Sequence, residues 1–251
     1  MINWDSVPNH REFIKWRKTW LEEIVFDQDR MNQIHSNVLD LDNLKYPYLW
    51  DWCGVPIIRH PSDVVLVQEF IFKFRPTLCI EVGVARGGGA VLYSSLMKLI
   101  GLTPCVLGVD IKIHQHTYEM INLSGAKGIR LIEAPSISDL AREEMIKELD
   151  GHDSVFVTLD ANHQHENVLK ELYLFDEILP IGSVILVCDT IADDLMQEAN
   201  AKPRNGKTGD SPKTALDTFL MKNTRWKKLD EFNQKSLFGE SPSGWIVRVG
   251  N

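Results

Sequence analysis

A chain of 251 residues, 44% hydrophobic and 25% charged, is long and apolar enough to bury one large core. A formal net charge of −8 and a pI near 5.5 argue against general affinity for nucleic acid or an anionic membrane surface. No uninterrupted apolar run of 18 residues occurs, so no membrane span is expected, and the cysteines at 53, 79, 105 and 188 form no CxxC pair, which points to a reducing, cytoplasmic compartment.

In chain order, residues 9 to 24 place Phe13, Trp16, Trp20, Leu21 and Ile24 at three- and four-residue spacings, one apolar face of a helix. That face is expected to pack on the domain or on a second subunit, so a homo-oligomer is expected. Residues 28 to 60, polar and then aromatic, read as an irregular arm, which divides the chain into an arm at 1–60 and a domain at 61–251. Ser62 is placed to cap a helix over DVVLVQEFIFKF that ends before Pro76. Apolar, β-branched runs follow at 77–82, 105–109, 129–134, 154–159 and 183–188, with helical segments near 89–100, 138–149 and 166–178. Near-continuous apolar strands separated by helices define a Rossmann-like, doubly wound α/β sheet that is mostly parallel. Beyond residue 192 comes a long polar stretch rich in Gly, Pro and Lys, expected to be a lid or binding loop. A helix over KTALDTFLMKN, a strand near WKKLDEF and a last strand GWIVRV complete seven strands with an antiparallel edge.

The strongest local signal is EVGVARGGGA, residues 81–90, which follows a strand and opens a helix. Gly83 permits a tight turn and close approach of a ligand, while Gly87, Gly88 and Gly89 free N–H groups at a helix N-terminus for a carboxylate or phosphate. Glu81 suits the amino group of an amino-acid-like ligand. The GxGxxG spacing of a dinucleotide turn is absent, which weakens the reading of a nicotinamide-dependent oxidoreductase without removing it. Asp110 ends the second strand, where a ribose diol is commonly held. Asp160 and Asp189 end the fourth and fifth strands on the same edge, placed to hold a hard cation such as Mg²⁺, and His163 is within reach as a general base. Helix capping by both aspartates is the alternative. Ser136 is placed toward the adenine end of a nucleoside or at a capping turn, and His114 and His116 read as a solvated loop.

WDWCGVPIIRHPSDVVLVQEFIFKFRPTLCIEVGVARGGGAVLYSSL, GVDI, LDANHQHENVLKELYLFDEILPIGSVILVCDT, SPKTALDTFL and GWIVRV together resemble the cephalosporin hydroxylase / rhamnosyl O-methyltransferase family. The resemblance spans about residues 46 to 249. It implies a class I S-adenosylmethionine-dependent O-methyltransferase with a Mg²⁺ site, acting on a small-molecule or sugar hydroxyl in natural-product or glycolipid tailoring. It implies Glu81, Gly83, Ala85, Arg86, Gly87, Gly88, Asp110, Ser136 and Asp160 around the cofactor, and Asp160, Cys188 and Asp189 at the metal. The chain departs from the family pattern where Cys188 stands for Glu, Asn162 for Asp and Asn167 for His. Those departures keep a non-catalytic cofactor-binding or assembly protein in view.

Overall fold

The structure, a computed structural model, describes residues 9–193 and 209–250. The loop expected after residue 192 therefore falls largely outside the described residues. Helix α1 (His10–Val25) is capped by the Asn9 side chain, which accepts from the N–H groups of Arg11 and Glu12. Its aromatic face pairs Trp20 with Phe13 and Trp16 at ring-centroid distances of 6.1 and 6.0 Å, yet none of its residues is buried. The arm is not irregular from residue 28. It forms α2 (Gln28–Asn43), capped by Asp27, whose buried Val38 packs against Ile191 of the domain. Polar residues dominate that helix, and tertiary contact on a narrow face holds it where sequence pattern shows little. A 3₁₀ turn at Tyr46–Leu49 leads into a hairpin of β1 (Trp50–Trp52) and β2 (Val55–Ile57). Cys53 and Gly54 between them both have positive φ, as a two-residue turn of primed type requires.

α3 (Pro61–Phe74) follows. Its N-cap is His60 rather than Ser62, because Pro61 occupies the first helical position, where a missing N–H costs nothing. The main sheet comprises β3 (Leu78–Val82), β4 (Val106–Asp110), β5 (Ile129–Glu133), β6 (Val155–Leu159), β7 (Val184–Val187), β8 (Trp226–Lys228) and β9 (Trp245–Arg248). Its order is β5-β4-β3-β6-β7-β9-β8, parallel through β7 and antiparallel from there, so β9 lies between β7 and the edge strand β8. The intervening helices are α4 (Gly88–Leu99), α5 (Gln115–Ser124), α6 (Asp139–Leu149), α7 (His165–Ile178), α8 (Pro212–Lys222) and the short α9 (Asp230–Asn233). α5 occupies the stretch read as a solvated loop. His114 is its N-cap and stacks on His116 at 5.2 Å.

Strand alternation sorts the core onto two faces. Leu78, Ile80 and Val82 of β3 look toward α6, α7 and α8, where Met145, Phe175 and Phe219 are buried. Cys79 and Glu81 look the other way, where Phe70 of α3, Tyr93 and Met97 of α4, Phe232 of α9 and Trp245 of β9 enclose Phe156. Val55 and Ile57 of the hairpin are buried on this second side, against α4. Among the described residues, no helix is long and apolar enough to cross a membrane.

Candidate active site at the carboxyl edge

Because β3, β4, β6 and β7 run parallel in register, their carboxyl ends deliver the segments after Val82, Val109, Leu159 and Val187 to one edge. The turn after β3 is set by ladder-like bonds: Gly83 N–H donates to Val109 at 2.8 Å and Asp160 N–H donates to Val82 at 2.8 Å. Gly83, at φ +95, lies so close to the next strand that a Cβ there would fall 2.2 Å from the Asp160 carbonyl oxygen. Only glycine keeps this floor open. Asp110 braces the same turn. Its Oδ2 accepts from the N–H groups of Val84 (2.8 Å) and Ala85 (3.1 Å), and its Oδ1 accepts from Lys112 N–H (3.0 Å). A carboxylate has about four acceptor positions, so Oδ1 retains one for a hydroxyl donor.

The three glycines after Arg86 do not offer themselves to a ligand as the pattern suggests. All are buried: Gly87 packs on Ile121, Gly88 on the Pro56 carbonyl of the hairpin, and Gly89 on the Glu81 carboxylate. The exposed part of the turn is Ala85 and Arg86, and Arg86 pairs with His116 at 2.8 Å. Glu81 is only 3% exposed and its Oε2 has no hydrogen-bond partner. Burial raises its pKa from 4.5 to about 8; Arg59 pulls it back, and Asp160 pushes it up. Ser136 is half-buried, and its hydroxyl donates to Glu171 at 2.5 Å, a carboxylate also held by Asn167 at 3.0 Å. Burial raises the Glu171 pKa despite these bonds.

Asp160, His163 and Asp189 converge, each offering one ligand atom within 4.8 Å of the others. His163 Nδ1 lies 2.7 Å from Asp189 Oδ2. Asp189 is buried and left-handed at φ +56, a conformation that costs free energy and persists only where its surroundings enforce it. Cys188 is not part of this group. Its buried thiol faces the Arg59 guanidinium at 3.8 Å, and burial holds its pKa well above the ordinary value, so it stays a neutral soft donor unsuited to Mg²⁺. Sequence reasoning missed Arg59 altogether. It is buried, pairs with Asp160 Oδ2 at 3.3 Å and lies over the Tyr93 ring at 5.9 Å. Missed as well was Glu240, whose pKa is raised well above normal by burial and then by Asp189, Asp63 and Asp160.

These groups border a cleft of about 370 Å³. Gly83, Ala85, Asp160, His163, Asp189 and Glu240 form its floor, and Asp42, Lys45, Pro47, Tyr48 and Ile58 from the arm form its outer wall.

A seven-stranded sheet in this order, with an antiparallel strand beside its last parallel one, is the architecture of S-adenosylmethionine-dependent methyltransferases. The chain belongs to the Rhamnosyl O-methyltransferase/CmcI family, whose model matches residues 44–249. It is therefore an enzyme of the S-adenosylmethionine-dependent O-methyltransferase class, and the oxidoreductase alternative falls away. Relatives include the rhamnosyl O-methyltransferase of Mycobacterium leprae (strain TN), 28% identical over 207 residues, covering 80% of this chain and 85% of the relative. That of Mycobacterium tuberculosis (strain ATCC 25618 / H37Rv) is 26% identical over 200 residues, covering 78% and 77%. Similar solved structures include apo CmcI, with TM-score 0.57, 17% identity and coverage of 81% of this chain and 78% of that one. A CmcI complex with Mg and SAM has TM-score 0.54 and 16% identity over the same shares.

Proposed function

We propose that this chain methylates a hydroxyl of a sugar or a glycosylated small molecule, with assistance from a divalent cation. The carrying observation is the convergence of Asp160, His163 and Asp189 beside the Gly83 turn, in a cleft whose outer wall comes from the arm. The residues fit an amino-acid nucleoside: Glu81 Oε2 is an orphaned buried acceptor suited to an ammonium, and Asp110 Oδ1 retains capacity for a ribose hydroxyl. Ala85 and Arg86 flank that position, Gly87 and Gly88 shape the turn behind it, and Ser136 with Glu171 stands toward the adenine end. Asp160 and Asp189 fit a hard cation through their oxygens.

S-adenosylmethionine held there would supply an activated methyl group for transfer to the acceptor oxygen. His163, with Nδ1 donating to Asp189, has Nε2 as its accepting nitrogen and takes the acceptor's proton there. Asp189 orients that ring and stabilises its charge once protonated. Arg59 fixes the Asp160 carboxylate from the core side, which keeps the floor in one geometry. In the arm, Tyr48 with Lys45 over its ring at 5.7 Å and Asp42 give a polar, aromatic wall suited to a hydroxylated acceptor.

A role in natural-product or glycolipid tailoring and a cytoplasmic location follow from the same reading, the latter in keeping with four free cysteines. α1 supports a homo-oligomer, because Trp16 and Ile14 stay exposed on a helix with no buried residue. The test is S-adenosylhomocysteine formation from S-adenosylmethionine with a panel of rhamnosides and other glycosides, with and without a chelator. Turnover that needs a free sugar hydroxyl and is lost on chelation supports the reading. No turnover across the panel despite tight S-adenosylhomocysteine binding would overturn the assignment of a sugar hydroxyl as acceptor.

A further inference from the structure

We propose that Asp210, with Thr214 beside it, is a positioning residue for His163: the two grip the first residue of α7 and so fix the segment that carries the base. This deepens the reading of His163 as the base and rests on it.

His163 lies in the link 160–164 between the end of β6 and the start of α7. The strand end of that link is tied by the bond from Asp160 N–H to Val82. At its helix end the local sequence supplies no cap. Gln164 stands at the N-cap and its side chain makes no capping bond, whereas Ser, Thr, Asp or Asn there would accept from the first turn. Asn162 Oδ1 takes the Gln164 N–H at 2.9 Å. The next N–H, that of His165, donates to Asp210 Oδ1 at 2.7 Å, from a residue 45 positions further along the chain. A bond to an ionised carboxylate is stronger than a neutral one, and the N-terminal end of the helix dipole favours the negative charge.

The gripping side chains are themselves fixed by the start of α8. Ser211 caps that helix, accepting from Thr214 N–H at 3.2 Å while its own N–H donates to Thr214 Oγ1 at 3.2 Å. The Thr214 hydroxyl donates its one proton to the Gly209 carbonyl at 2.9 Å, so it accepts from His165 Nδ1 at 2.8 Å. His165 is therefore held twice from α8, through its N–H by Asp210 and through its ring by Thr214. Asp189 orients the His163 ring, and this clamp sets the backbone from which the ring projects. The second hold matters because a shift of about 1 Å in a reacting group can cost about 10²-fold in rate.

Long-range ¹H–¹⁵N spectra of the imidazole rings in the full chain, with the His163 signals assigned through His163→Ala, read the ring's surroundings without turnover. Asp210→Ala should displace those signals, and so should Thr214→Val, which keeps the carboxylate and removes the ring contact. Asp210→Asn retains an acceptor oxygen on the same stem and should hold them near their wild-type positions. In turnover of S-adenosylmethionine with a rhamnoside, Asp210→Ala should lower kcat by about tenfold or more with the KM for S-adenosylmethionine kept, and Asp210→Asn should recover most of that loss. In a His163→Ala background, Asp210→Ala should cost nothing further, because it acts through the missing ring. Equal losses in both backgrounds, or His163 signals unmoved in Asp210→Ala and Thr214→Val, overturn the positioning role and leave the base reading intact. Turnover indifferent to His163→Ala overturns both.

Discussion

Replacing Glu81 with glutamine isolates the buried carboxyl that stands at the end of β3, beside the Gly83 turn. Glu81 is buried in β3 behind Gly89, and burial carries its pKa from 4.5 to about 8. At neutral pH the ligand-free protein therefore holds it protonated, whereas the unfolded chain has already released that proton. Stability contributed by the proton is fully present below pH 4.5 and is lost as pH rises through about 8. Over about 3.5 pH units, at about 1.36 kcal/mol per unit, the loss amounts to about 5 kcal/mol. A glutamine amide cannot titrate, so Glu81→Gln should lose the Glu81 share of the decline between about pH 5 and 8 and melt with a shallower pH slope than the wild type, the slope that remains coming from other buried carboxyls such as Asp63. At a few degrees per kcal/mol for a chain of this size, the gap at pH 8 should reach about 10 °C. Binding gives a second readout. A ligand ammonium placed against Glu81 favours the ionised carboxylate, so S-adenosylhomocysteine should release close to one proton at about pH 7. Calorimetric titrations in buffers of different ionisation enthalpy measure it, and Glu81→Gln should release none. A wild-type chain with buffer-independent heats, or a variant with the wild-type pH slope, would falsify both the burial argument and the placement of the ammonium.

Asp110→Ala removes the acceptor for three backbone N–H groups and the remaining site on Oδ1, so it should weaken S-adenosylhomocysteine binding by about 1–3 kcal/mol. Unchanged affinity in the folded variant would reduce Asp110 to a brace of the turn. His163→Ala should lower turnover by about 10²–10⁴-fold with nucleoside affinity kept, and turnover indifferent to it would remove the base assignment. Deleting residues 1 to 45 should lower the number of subunits in the sedimenting species; a 251-residue chain already monomeric at micromolar concentration contradicts the role given to α1.

The sheet was legible because buried parallel strands leave long apolar runs. The five runs from 77 to 188 coincide with β3 to β7 to within about two residues at their ends. α2 and α5 were not legible. α2 buries only His35 and Val38, and α5 only Thr117 and Ile121, so neither writes a broad apolar stripe. The hairpin at Trp50–Ile57 was hidden for a different reason. Three-residue strands are too short for alternation to register, and its turn uses Cys53 where Asn or Asp would have announced it.

Site residues at strand ends were readable for the same reason as the strands: Glu81, Asp110, Asp160 and Asp189 each belong to or follow an apolar run. Arg59 and Glu240 follow none. Arg59 comes from the turn before α3, and its burial depends on Tyr93, Cys188 and Asp160, which are distant in the chain. Glu240 did leave a signal. β9 runs antiparallel to β7, so the residues before Trp245 must lie at the same edge where the parallel strands end. An acidic residue just upstream of a terminal antiparallel strand is thereby delivered to the carboxyl edge of the parallel strands, as surely as one just downstream of a parallel strand. The same geometry explains how Cys188 can stand directly before Asp189 without emptying the site of oxygen donors. The thiol turns inward to Arg59 and the Trp245 side of the core, while a carboxylate arrives from the opposite chain direction. Carboxylate supply at this edge is therefore a property of the sheet's topology, and a single strand end can change without removing it.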